Sequence, residues 1–278
     1  MSGFFWLASY PKSGNTWLRF ALLCLKEGGG VDFSKRSDFA PVAAGRAGFD
    51  LALGIESSDL TPAEILELRP RCYEAQAENL VEPQFRKVHD AWVLTAPGEP
   101  LFPPSVTQGS LCIVRDPRDV AVSFAHHSGD EIDKVISHMG NSDAQLARQR
   151  DRLFDQLPQV LGSWSDHVAG WLAAPGMRPA LLVRYEDMLA DPARELRRVA
   201  DYVGWPATED AIASAVENTR FDRLRAAEER QGFHERSPVA ARFFRKGETG
   251  GWRTVLTAAQ ATRIETAHGD MMRRLRYL

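Results

Sequence analysis

Three short, almost unbroken apolar runs stand out along the chain, at residues 4–9, 111–115 and 180–185, with a weaker fourth at 85–89. Runs this short and this uniformly apolar predict strands buried on both faces, as in parallel sheets. Between them apolar residues recur at helical spacing. Residues 16–27 predict a helix that stops at Gly28-Gly29-Gly30. Thr61-Pro62-Ala63-Glu64 reads as an N-cap, a proline at the first helical position and an acid placed well for the helix dipole. Asp191-Pro192 opens a helix through Val203 that Gly204 ends, and residues 257–275 predict a C-terminal one. Strands alternating with helices predict an α/β fold, a single domain over residues 1–278 with a mostly parallel central sheet flanked by helices.

Three segments depart from this alternation. Residues 28–60 are rich in Gly and Ala, residues 128–160 are polar with helical character, and residues 226–244 are strongly charged. Ligands of open α/β sheets bind beyond the strand C-termini, so such segments read as walls or a lid, or else as variable surface. Charge and composition narrow the picture further. The chain has 278 residues, with 34 Lys and Arg against 37 Asp and Glu, a net charge of −3 that excludes a polycation devoted to coating nucleic acid. No run approaches the ~18 apolar residues of a membrane span. The apolar N-terminus lacks a basic leader and reads as the first strand rather than a secretion signal. Cys24, Cys72 and Cys112 are odd in number and widely spaced, which suits reduced thiols in a cytoplasmic protein and not a disulfide framework.

The chemistry concentrates in a few motifs. Ser9-Tyr10-Pro11-Lys12-Ser13-Gly14-Asn15-Thr16-Trp17 joins the first strand to the first helix. A strand, a tight glycine turn and a helix start aim successive N–H groups outward at the positive end of a dipole, which makes an anion cradle. Lys12 adds a point charge, and Ser13, Asn15 and Thr16 add donors. The Lys precedes the Gly, so the spacing is not that of a Walker A loop and its Mg²⁺ logic does not carry over. A second anion site is suggested where the strand at 111–115 delivers Arg115 to a helix opened by Pro117, with Ser123 two turns in; Arg118 and Asp119 read as a solvated pair. The third cluster is Arg245-Lys246-Gly247-Glu248-Thr249-Gly250-Gly251-Trp252, where glycines permit close approach to a phosphate. Adjacent His126 and His127 project to different sides of a helix, and no metal-ligand spacing is found.

Taken in order, YPKSGNTW, KVH, RDPRDVAVSF, RYED and RKGETGGW resemble the cytosolic-type sulfotransferases that use 3′-phosphoadenosine 5′-phosphosulfate (PAPS), with the match running from residue 10 to residue 252. The resemblance implies a P-loop-like phosphosulfate loop after the first strand. It implies that Lys12, Ser13, Gly14, Asn15, Thr16 and Trp17 hold the 5′-phosphosulfate. Arg115 and Ser123 would bind the 3′-phosphate together with Arg245, Lys246 and Gly247, while Tyr185, Thr219 and Phe221 surround the adenosine. His89 would be the catalytic base, with Lys12 and Lys87 stabilising the leaving and transferring groups; His126 and His127 are rival bases. The family's usual K-T-H is Lys87-Val88-His89 here, and its dimer motif is degraded at Arg253, Thr257-Ala258 and Thr262. No Trp lies in 28–60, where family members often stack one on adenine, and Phe33 or Phe39 are the available substitutes.

The resemblance thus implies sulfonyl transfer to a hydroxyl of a small-molecule acceptor, with 3′-phosphoadenosine 5′-phosphate (PAP) as product, no metal and no nucleic-acid partner. Two other readings stay open: a catalytically inactive PAPS/PAP-binding protein, and a P-loop-like small-molecule kinase. Phe102, Phe124 and Phe244 are aromatic candidates for an apolar acceptor pocket.

Overall fold

A strand buried on both faces needs no alternation, and the first strand shows it: every residue of FFWLAS is buried in the computed structural model. The structure describes residues 2–34, 39–147 and 153–278. In chain order the elements begin with β1 (Phe4–Ser9), α1 (Asn15–Glu27), α2 (Arg46–Leu53), α3 (Pro62–Glu78), β2 (Gln84–Val88) and β3 (Thr107–Val114). They continue with α4 (Pro117–Ser128), α5 (Ile132–Met139), β4 (Gln145–Leu146), β5 (Gln159–Val160), α6 (Trp164–Ala173) and β6 (Leu181–Arg184). The remainder is helical: α7 (Tyr185–Ala190), α8 (Pro192–Val203), α9 (Glu209–Asn218), α10 (Phe221–Gln231) and α11 (Ala258–Arg274). The central sheet has the order β2-β1-β3-β6, which makes this the expected α/β fold with a parallel sheet flanked by helices. β1 and β2 run parallel in a register that sets Phe4 opposite Gln84 and Ala8 opposite Val88.

Local chemistry sets the helix ends. Thr61 and Glu64 form a reciprocal capping box at the start of α3, with Pro62 in its first turn. Asp191 caps α8, and Gly204 ends it in the left-handed region at φ 75°. Of residues 128–160, residues 148–152 lie outside the described residues, and the described part is helical only as far as α5. Gly140 caps that helix, Asp143 N–H turns back onto Asn141 Oδ1 at 2.9 Å, and the chain goes on to pair β4 with β5. Asn141 here uses its side chain to close a turn, which competes with helix continuation.

The chain divides into two compact units. The first comprises Met1–Tyr10, Phe39–Cys112 and Asn141–Leu182. It is built on β1, β2 and most of β3, and its core includes Trp6, Tyr73, Phe102 and Trp171 in tilted and stacked ring contacts. The second comprises Pro11–Asp38, Ile113–Gly140 and Val183–Leu278, with a cluster of Phe20, Phe33, Leu224, Phe233 and Phe244. Cys24, Cys72 and Cys112 are free and buried, and burial pushes their thiols up to about 11, 11 and 12, which keeps them unreactive.

One buried base makes the first unit pH-sensitive. His167 on α6 is fully buried, edge-on to the Tyr10 ring at 5.7 Å, and neither ring nitrogen makes a hydrogen bond of normal geometry. Burial lowers its pKa from 6.5 to about 4, against weak opposing contacts with the backbone of His89 and Asp90. A base with a lower pKa folded than unfolded costs nothing above pH 6.5, and destabilises the fold as pH falls from 6.5 toward 4. Chemical denaturation across that window should show roughly 3 kcal/mol lost to this residue, and His167→Phe should flatten that part of the profile.

A candidate anion cradle and a candidate base

The turn after β1 is shaped by two residues in the left-handed region, Lys12 at φ 70° and Gly14 at φ 103°. A non-glycine residue held there is strained, and such strain concentrates at functional sites. Gly14 is the N-cap of α1 and offers no side chain, so the first N–H groups of this helix have no side-chain cap. A Cβ at Gly14 would lie 2.7 Å from Cδ2 of Tyr185, so the ring closes against the turn and only glycine fits. Ser13, Asn15 and Thr16 are buried, and the Ser13 hydroxyl has no hydrogen-bond partner. Trp17 donates from Nε1 to the Thr219 carbonyl at 3.0 Å and meets Tyr185 edge-on at 5.8 Å.

Of the residues predicted for a second phosphate, Arg115 reaches the turn and Arg245 lies within its electrostatic reach in this unit. Arg115 lies 4.3 Å from the centroid of the Tyr185 ring, which it covers. Its Nη groups reach only carbonyl oxygens, Lys12 at 3.4 Å and Glu248 at 3.0 Å, and its buried Nε has no partner. Arg245 has no carboxylate within ion-pair distance among the described residues. Partial burial and then the positive charge of Arg115 lower its pKa, against the opposing fields of Glu248 and Asp119, so the two guanidinium groups lie within electrostatic reach of one another. Lys246 pairs with Glu248 at 2.9 Å. Gly247 takes φ 65°, and a Cβ there would stand 2.3 Å from Cδ2 of Phe221, which explains the glycine and ties the loop to α10. Thr219 spends its hydroxyl on the Ala215 carbonyl at 2.7 Å, leaving its own carbonyl to hold Trp17. Ser123 is half-buried on the second turn of α4.

One expectation around α4 needs correction: Arg118 and Asp119 are not a solvated pair, being 6% and 4% exposed. Asp116 caps the helix by accepting from Arg118 N–H at 2.9 Å. Arg118 pairs with Asp116 and Glu265 at 2.7 Å each and lies over the Trp252 ring. Asp119 accepts from the Gly250 and Trp252 N–H groups at 2.7 and 2.9 Å. It fastens the third motif to the helix that follows the second. A charged residue in a helical first turn looks solvated in sequence, and only a distant loop with two unmet donors buries it.

Segment 226–244 lies against the cradle within the second unit. Phe243 sits 4.2 Å from Lys12 Nζ, and Glu235 accepts from Thr16 Oγ1 at 3.2 Å and from Arg19. Sequence reasoning had no signal for Glu235, one acid among many in a charged stretch. Phe33 stacks on Phe244 at 5.7 Å in the apolar cluster, and Phe39 stacks on Phe85 in the first unit. Phe102 is fully buried among core rings and Phe244 is buried too, so neither stands open as a pocket wall; Phe124 is half-buried, edge-on to His138.

The predicted base belongs to the first unit. His89 follows β2 and is half-buried, its Nδ1 2.8 Å from the Ser9 carbonyl and 3.4 Å from the Ser9 hydroxyl. A carbonyl only accepts, so Nδ1 carries the proton and Nε2 carries the lone pair. Lys87, two residues earlier in β2, is opposite Leu7, with its backbone bonded to Pro41 and Ala43 on the other side. His126 and His127 belong to the second unit. Partial burial, then Arg245 and Lys246, lower the pKa of His126, and His127 stands edge-on to Phe243 at 6.3 Å.

Comparison with known proteins gives a consistent result. The sulfotransferase domain family matches residues 4–276. Human sulfotransferase 1C2 is 25% identical over 277 residues, spanning 96% of this chain and 82% of that one. Rat sulfotransferase 1A1 is 24% identical over 278 residues, with 96% and 83% covered. Among solved structures, retinol dehydratase in complex with androsterone and the inactive cofactor PAP superposes with a TM-score of 0.64 at 20% identity, over 97% of this chain and 80% of that one. Mouse sulfotransferase SULT7A1 complexed with PAP gives 0.61 at 20% identity, over 98% and 84%. At these identities the structural likeness speaks to fold alone.

The Asp119 anchor is open to direct measurement. Asp119→Ala should speed amide exchange at residues 250 and 252 by roughly tenfold or more, the cost of a lost charge-assisted acceptor, while amides of β1 and β3 keep their protection.

Proposed function

Since the chain belongs to the sulfotransferase family, we propose that it moves a sulfonyl group from PAPS to a hydroxyl of a small-molecule acceptor. The observation that carries this reading is the pair Arg115 and Arg245: two guanidinium groups within electrostatic reach of one another and without carboxylate partners among the described residues, beside the uncapped start of α1. Positive charge held this way is matched by a multiply charged anion. The residues present fit such a group, because the Ser13 hydroxyl and Arg115 Nε are buried donors left without partners.

PAPS would supply a sulfonyl group already attached to a good phosphate leaving group, so fixed charges and positioning suffice for an in-line displacement. Lys12 and the N–H groups of residues 13–17 would hold its 5′ end, with Lys12 countering charge on the leaving oxygen. Arg115, Ser123, Arg245, Lys246 and the Gly247 backbone would hold the 3′-phosphate. Trp17, Tyr185, Thr219 and Phe221 would bound the adenosine; the Tyr185 ring already lies flat under Arg115. His89 would accept the acceptor hydroxyl's proton at Nε2, the tautomer that the Ser9 carbonyl favours. Lys87, near the end of β2, would steady charge on the transferring group. Residues 1–278 would work as one catalytic domain, since the family match runs through both units. Small-molecule acceptors fit the neighbours, which include retinol dehydratase solved with retinol and PAP. The buried free thiols fit a cytoplasmic setting, and no helix among the described residues is long and apolar enough to cross a membrane.

Calorimetry with PAP should show binding below millimolar concentration, and Arg245→Ala should weaken it about ten- to a hundredfold, the worth of a charge-assisted hydrogen bond. His89→Ala should abolish transfer from labelled PAPS while changing PAP affinity by less than about threefold. Absence of PAP binding would overturn the family role. Binding without transfer to any acceptor would favour an inactive binder, and survival of transfer in His89→Ala would pass the role to His126 or His127. Glu235 competes with an anion for Thr16 and Arg19. Glu235→Gln should therefore tighten PAP binding roughly two- to tenfold, read in the same titration.

A further inference from the structure

Beside His89 the first unit holds a fully buried ion pair that the functional reading has not used. Arg69 on α3 and Asp90 are 1% and 0% exposed. Their contact is bidentate, Nη1 to Oδ1 at 2.8 Å and Nη2 to Oδ2 at 2.6 Å. Tyr73 Oη accepts from Arg69 Nε and Nη2 at 3.1 and 2.8 Å. Burial opposes the charge on Arg69, but Asp90 and Tyr73 together outweigh it, so the guanidinium stays ionised. A buried pair of this kind is weak evidence for stability, because desolvation offsets most of the attraction.

Its placement in the chain is more informative. Asp90 directly follows His89, and every polar group of Asp90 that faces the core is engaged. Oδ1 also accepts from Val160 N–H at 2.9 Å, and the Asp90 carbonyl accepts from Trp171 Nε1 at 2.9 Å. The next residue, Ala91, donates its N–H to the Val160 carbonyl at 2.7 Å. The chain on the far side of His89 is thus tied to α3, β5 and α6 at once. On the near side, the parallel register of β2 with β1 holds Val88 opposite Ala8. The imidazole then bonds to Ser9, the next residue of β1.

We propose that Arg69 and Asp90 are positioning residues for His89, fixing the backbone that follows it so that the Nδ1 bond to Ser9 persists and Nε2 keeps its lone pair. This rests on the reading of His89 as the proton acceptor. A shift of residue 89 by a fraction of an ångström would lengthen the 2.8 Å bond that selects the tautomer. Misplacement of about 1 Å at a reacting group is enough to cost a hundredfold in rate.

The test uses the double variant Arg69→Met with Asp90→Asn. Removing both charges together strands neither in the core, and the Asn carbonyl can still accept from Val160 N–H. Three quantities are compared with the wild-type chain: kcat and acceptor KM for transfer from PAPS, PAP affinity by calorimetry, and the ¹⁵N imidazole resonances of His89. The expected result is a fall in kcat of about ten- to a hundredfold, with PAP affinity within about twofold. The His89 resonances should move from a single Nδ1–H form to a mixture of tautomers. Unchanged kcat overturns the proposal, as does a parallel loss of kcat, PAP affinity and thermal stability, which marks a merely structural pair. Should the wild-type chain transfer no sulfonyl group, the functional reading fails separately. The resonances alone then decide: a tautomer unchanged in the variant refutes positioning, and a mixture upholds it.

Discussion

Positive charge kept clear of carboxylates is the constraint on which the second unit depends. Arg115 and Arg245 repel one another, and in a chain of net charge −3 the nearest acids would ordinarily neutralise them. Arg115 instead rests on carbonyl oxygens and the face of Tyr185, contacts that orient a guanidinium without cancelling it. The uncapped start of α1 obeys the same rule: its N-cap is a glycine, and its leading N–H groups meet no side-chain oxygen of the cap.

The neighbouring acids are employed elsewhere, and that makes the arrangement affordable. Asp116 caps α4 and grips Arg118, while Asp119 accepts two loop N–H groups. Glu186 accepts from Asp116 N–H and Tyr277 Oη. Two acids remain near these groups: Glu248 pairs with Lys246 at 2.9 Å, and Glu235 is set on Thr16 and Arg19, where an anion would compete with it. The first unit applies the opposite strategy to its own buried charge. Arg69 and Asp90 neutralise each other completely and trade electrostatic reach for rigidity at the end of β2.

Much of this was legible in the sequence. The strands at 4–9, 85–89, 111–115 and 180–185 emerge within a few residues of their expected positions, since parallel strands buried on both faces are apolar throughout. The helix starting at Pro62 and that ending at Val203 follow from Thr61-Pro62 and Gly204. The glycine turn that opens α1 at residues 12–16 was legible because glycine spacing and helix polarity are local properties. Among the described residues after Met139, the helix expected of segment 128–160 gives way to a turn that Asn141 closes onto Asp143 N–H.

Other features exist only because distant segments meet. Asp119 is buried by a loop more than a hundred residues away, Asp90 by a helix twenty residues before it and a strand seventy after it. The proton on His89 Nδ1 is assigned by the Ser9 carbonyl, a partner eighty residues distant. The sequence by itself determined the order of elements and the residue types able to hold an anion, because those depend on neighbours along the chain. Tertiary structure alone decided which charges stay uncompensated and which are spent. Burial and pairing are set by whatever segment folds alongside, and no local pattern records that.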